Sequence, residues 1–210
     1  MISDMQAVWI FKGPKRFPGF PSAVFSDLAL GAKWARANRA SGVLTCYPLN
    51  IGVYEWAIAN RLFKPKGEEQ KQAEFIENFS SAGQEHYHFR QGSANTYGFT
   101  DDPRETSFPQ SSKNPPAREM VWVFVGPRLM LSFPSATFTD ISEGEQWIRN
   151  NALSGIFIRY PVDISAYDWA IEGGIFVPEG DEQKQPDFIE SFSSTRQEHR
   201  CYYQGKLAAG

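Results

Sequence analysis

The sequence predicts an α+β fold written twice: two tandem homologous domains, each a small, mostly antiparallel sheet in the order β-β-α-β-α-α-β with helices on one face. Three observations carry that reading. The 210-residue chain repeats itself at an offset of 113 positions, Trp9 falling on Trp122, without a gap from 8–92 to 121–205 and with roughly half of the pairs identical. In each copy short apolar runs end at Gly-Pro or Pro, which marks buried strands. Between them lie segments of helical period that open on Ser, Asn or Asp.

Taken in order, V-W-I-F (from Val8) and V-W-V-F (from Val121) are stopped by Gly-Pro and read as a first strand. P-S-A-V-F (from Pro21) and P-S-A-T-F (from Pro134) give a second, antiparallel to it. A helix follows: Ser142 and Glu145 stand at capping-box spacing, and Ile141, Trp147, Ile148 and Asn151 keep a helical period. Ser41-Gly42 and Ser154-Gly155 are expected to close it with a left-handed cap. V-L-T-C-Y-P and I-F-I-R-Y-P form a third strand, stopped by Pro.

Asn50 and Asp163 are placed as N-caps of a second helix. Its core stripe is Ile51, Tyr54, Ala57, Ile58 and Leu62, or Ile164, Tyr167, Ala170, Ile171 and Ile175 in the second copy. A polar loop leads to a short third helix, E-F-I-E-N-F or D-F-I-E-S-F. E-H-Y-H-F or E-H-R-C-Y then alternates as a last strand.

The copies set the organisation: a first repeat over 1–92, a linker rich in Ser, Pro and charge over 93–119, a second repeat over 120–206, and 207–210 as a tail of vector type. A formal charge of −3 and a pI near 5.7 give no basic footprint for nucleic acid. No apolar run is long enough to span a bilayer, and the N-terminus lacks the charged and apolar regions of a signal peptide. A cytoplasmic chain with Cys46 and Cys201 as free thiols is therefore expected.

The series W-x-F-x-G-P, S-G-x(4)-Y-P, Y-[ED]-W-A-I, F-I-x-x-F-S-S and E-H resembles a family of small uncharacterised bacterial α+β proteins, here as a tandem duplication. The resemblance covers both copies and carries no known chemistry. It associates the chain loosely with immunity proteins of toxin systems.

The three histidines are the first candidate site. On a strand, residues two apart share a face, so His86 and His88 could present two nitrogens to one metal, and His199 and Cys201 repeat the pair. A zinc site needs a third or fourth ligand, for which Asp27 or Glu85 are the available carboxylates. The bland alternative is that Gln-Glu-His locks the turn into the last strand, with His bonded to backbone, and it is preferred. Ser80-Ser81 and Ser193-Ser194 read as turn residues rather than nucleophiles, since no catalytic motif surrounds them.

The second candidate is a partner surface. Trp56 and Trp169 fall away from the core stripe, as a protein-binding anchor would, unless another element covers them. The first hairpin loops offer Phe17 in one copy and Leu129 and Met130 in the other. Glu68, Glu69, Asp181 and Glu182 would face a basic partner across polar loops.

The resulting expectation is a monomeric, non-enzymatic protein-binding module without cofactor, an immunity protein that neutralises a toxin by direct binding. A small metal- or His-dependent hydrolase using His86/His88 and His199/Cys201 is one alternative. A scaffolding or self-associating domain is the other.

Overall fold

The computed structural model describes residues 7–14, 19–94, 118–127 and 133–208. The first repeat contributes β1 (Ala7–Lys12), β2 (Ala23–Phe25), α1 (Leu28–Ala37), β3 (Gly42–Pro48), β4 (Ile51–Gly52) and α2 (Val53–Ala59). A 3-10 turn (Glu68–Lys71), α3 (Ala73–Ile76), β5 (His86–Arg90) and β6 (Ser93–Ala94) complete it. The second repeats this as β7 (Met120–Val125), β8 (Ala136–Phe138), α4 (Ile141–Asn150), β9 (Gly155–Pro161), β10 (Ile164–Ser165) and α5 (Ala166–Glu172). It ends with a 3-10 turn (Asp181–Lys184), α6 (Pro186–Ile189), β11 (His199–Tyr203) and β12 (Lys206–Leu207). The fold is α+β, with two antiparallel sheets.

Each sheet borrows a strand. Their orders are β10-β2-β1-β3-β5-β6 and β12-β11-β9-β7-β8-β4, so the short strand after each Tyr-Pro pairs with the other repeat. Ile51 and Gly52 lie opposite Thr137 and Ala136, and Ile164 and Ser165 lie opposite Val24 and Ala23. The exchange begins at a turn written in the sequence. Pro48 ends β3 without an amide to donate. Asn50 and Asp163 then take positive φ, 63° and 64°, a conformation that Asn and Asp tolerate best among residues with a Cβ. Their side chains are occupied there. Asn50 Oδ1 accepts from Thr139 N at 2.8 Å, and Asp163 Oδ1 accepts from Ser26 N at 2.7 Å, both in the other repeat.

This corrects the N-cap assignment of Asn50 and Asp163: the caps are Gly52 and Ser165, two residues later, because Asn50 and Asp163 are spent on the crossing. Two further signals are corrected. The first helix of the second copy is capped by Asp140, which accepts from Ser142 N and Glu143 N, so Glu145 is free for other bonds. The left-handed residues after α1 and α4 are Arg39 and Ala152, ahead of the Ser-Gly pairs. Ser93 and Ala94 pair with β5 as β6, and Leu207 pairs with Tyr202 in β12. The fold therefore reaches past residue 92 into the expected linker, and past 206 into the expected tail.

The two faces of β1 serve different cores. Val8 and Ile10 belong to one cluster with Val121 and Val123, while Trp9 and Phe11 join Phe25, Trp34 and, from the second repeat, Tyr167 and Ile189. Helix α5 and α6 of the second repeat thus pack into the layer that holds α1. Reciprocally, Glu55 of α2 accepts from Trp147 Nε1 of α4 at 3.2 Å. Buried Glu77 and Glu190 fix the exchange: Glu77 Oε2 accepts from Ser154 N at 2.7 Å, and Glu190 Oε2 from Ser41 N at 2.6 Å. No helix among the described residues is long and apolar enough to cross a membrane.

Candidate functional site

The Gln-Glu-His stretch is held from both ends. Gln84 is buried; its Nε2 donates to Cys46 O at 2.9 Å and its Oε1 accepts from Ser81 N at 3.2 Å. Gln197 repeats both bonds, to Arg159 O at 3.3 Å and from Ser194 N at 3.2 Å. The following imidazoles lean back on this turn, His86 Nδ1 on Gln84 O and His199 Nδ1 on Gln197 O, each at 2.8 Å. A carbonyl oxygen only accepts, so Nδ1 carries a proton in both rings. Ser81 Oγ and Ser194 Oγ accept from the amides of Gly83 and Arg196, the bond of a serine turn.

Two equivalent cavities open beside these turns. The first, about 270 Å³, is walled by Val43, Thr45 and Tyr47 of β3 and by His86 and His88 of β5. Phe133, from the other repeat, closes it. The second, about 290 Å³, substitutes Ile156, Ile158 and Tyr160, His199 and Cys201, and is closed by Phe20. Each cavity is therefore lined by both repeats. They differ in polarity: Tyr160 Oη donates to Pro21 O at 3.0 Å, whereas the buried Tyr47 hydroxyl has no partner among the described residues. Burial pushes both phenols far above their ordinary pKa.

His86 and His88 do share a face, with ring centroids 5.4 Å apart and planes at 80°. Neither proposed third ligand joins them. Asp27 caps α1 by accepting from Leu30 N, and Glu85 accepts from Tyr87 Oη at 2.7 Å. Among the described residues no three His, Cys, Asp or Glu side chains converge on one point. The cysteines are free; burial, then the nearby Glu85 charge, pushes the Cys46 thiol up to about 11, while Cys201 is exposed.

The core stripe of the second helix is corrected. Helix α2 begins only at Val53, and it buries Val53, Tyr54 and Ala57; α5 buries Ala166, Tyr167 and Ala170. At 100° per residue Trp56 and Ile58 flank that stripe on opposite sides. Trp56 and Trp169 are half-buried, and Trp56 packs on the core, so neither stands free in solvent. Among the described residues the exposed large apolar groups are Ile58 at 38%, Leu62 at 49%, Ile171 at 39% and Val177 at 72%, together with Tyr203 and Leu207 of the last hairpin. Counting the period from Asn50 hid Ile58, Leu62 and Ile171 inside the expected core.

Glu68 and Asp181 lie in the 3-10 turns, each paired with a lysine three residues on, Lys71 and Lys184; Glu69 and Glu182 lie beside them. These pairs dilute the acidic rim expected there. A groove of about 520 Å³ runs past Glu69, Phe75 and Phe79. Phe17, Leu129 and Met130 lie outside the described residues.

A family model described as a domain of unknown function (DUF7710) matches residues 8–95 and again residues 121–208. No curated protein and no solved structure matches the chain.

Proposed function

The chain belongs to the DUF7710 family twice over, and we propose that it is a non-catalytic binding protein that offers two related apolar faces to a protein partner. One observation carries the reading: α2 and α5 leave Ile58 and Ile171 in solvent at corresponding positions, on the side away from Trp56 and Trp169, with Leu62 and Val177 exposed just beyond the helix ends. Large apolar groups left in solvent on a well-packed helix are the composition of a docking face. A rigid body presenting two such faces gains avidity if both engage one partner. The finer form of the proposal is a cytoplasmic immunity protein that covers the active surface of a toxin.

Co-expression with the product of the adjoining upstream gene tests it. Growth rescued by the wild-type chain, and lost with Ile58→Glu/Ile171→Glu, is the expected result. Both positions are exposed, so the fold tolerates the change. A double variant that rescues as well as wild type removes these faces from the function, and an upstream product without toxicity removes the immunity reading.

A further inference from the structure

We propose that His86 and His88 form an exchangeable two-imidazole site for a late first-row divalent ion, with Ni²⁺ as its simplest probe. The inference is independent of the partner-binding proposal.

Spacing is the first support. With metal–nitrogen bonds of about 2.0–2.1 Å and each ring nitrogen a little over 1 Å from its own centroid, two imidazoles on one ion at a tetrahedral angle have centroids about 5.2 Å apart. The observed separation is 5.4 Å. Orientation is the second. Metal-bound histidines commonly donate their other ring N–H to a carbonyl, which fixes the tautomer and turns the free nitrogen outward. His86 makes that bond to Gln84 O, and Gln84 is itself held by Cys46 O and Ser81 N. The His86 ring is thus held in one orientation before any ion arrives.

With two protein ligands, water completes the shell. That excludes a structural zinc of the closed four-ligand kind and leaves an open site from which the ion can pass on. Imidazole suits Ni²⁺, Cu²⁺ and Zn²⁺, with Cu²⁺ held most tightly. The second cavity keeps the carbonyl-bound His199 but exchanges the other ring for Cys201, so it favours softer ions and serves as an internal control.

Calorimetric titration of the untagged full chain with Ni²⁺, joined to NMR of the imidazole resonances, tests the site. One ion per chain is expected, with paramagnetic broadening of His86 and His88 well beyond that of His199. Loss of an orienting partner alone costs ten- to a hundredfold in affinity, so His86→Ala or His88→Ala should each weaken binding at least about tenfold. Both rings are exposed, and an unchanged melting temperature confirms that the variants fold. Binding that survives His86→Ala/His88→Ala, broadening centred on His199, or no one-to-one binding overturns the proposal.

Discussion

Glu55 and its counterpart Asp168 differ by one methylene, and that difference redistributes a network. Glu55 reaches across to Trp147 Nε1, passing Gly52 so closely that an added Cβ there would collide with the carboxylate. Asp168 is too short, bonds Ser165 Oγ at 2.5 Å instead, and Trp34 Nε1 is left buried without a partner among the described residues. A second divergence surrounds Glu145, where the first copy has Ala32. Its carboxylate accepts from Tyr202 Oη at 2.6 Å and from Arg200 Nη1. The Tyr202 bond first, and Arg200 after it, hold the Glu145 carboxyl below its ordinary value against the opposing cost of burial. A folded pKa below the unfolded one contributes stability that is fully present above the unfolded value, about 4.3, and is lost as pH falls through the folded one. The stability gap between wild type and Glu145→Gln should therefore stay constant from neutral pH to about pH 5 and close below that. Denaturant titrations at pH 7 and pH 3 check it; a gap that widens in acid contradicts the assignment.

At the scale of elements, the crossing turn decides most. Pro48, Leu49 and Asn50 send β4 to the far sheet, where Asn50 N donates to Thr137 O at 2.7 Å and Val53 N to Ser135 O at 2.8 Å. Replacing Asn50 or Asp163 by Ala keeps a Cβ at positive φ without the short polar side chain that eases that conformation, and removes the side-chain bonds between repeats. Each should cost about 1–3 kcal/mol. Asn50→Gly, which keeps the backbone freedom, should cost less, and urea unfolding of the three variants measures the order. The strands β1, β2, β3 and β5 were legible because their apolar runs end at Gly-Pro, Pro or polar turns. The borrowed strands were not, since two residues carry no periodicity. Asn at a helix threshold looks the same in sequence whether it caps the helix or turns the chain. The cavities escaped notice for a related reason: their closing residues, Phe133 and Phe20, lie far along the chain from the histidines beside them.

For the whole molecule, the exchange makes the repeats mutually dependent. Each supplies a sheet strand, a helix pair and a buried carboxylate to the other, so their association does not rest on the connection between them. A protease site inserted within 95–117, then cut, should leave both halves in one peak on gel filtration at the intact mass. Halves that separate without denaturant would contradict the interlocked packing. By itself the sequence determined the duplication, the α+β class, the strands long enough to show a pattern, and the Gln-Glu-His turn with its histidine on backbone, because each of these shows in a short stretch and in its repetition. Only the tertiary structure decided which sheet β4 and β10 complete, which side of α2 meets solvent, and what closes the cavities. Two homologous copies offer each edge strand β2 or β8 two similar partners. Choosing between them depends on the direction the chain takes after Asn50 and Asp163, where Thr139, Ser26, Glu77 and Glu190 hold it, and those contacts exist only once both copies have folded together.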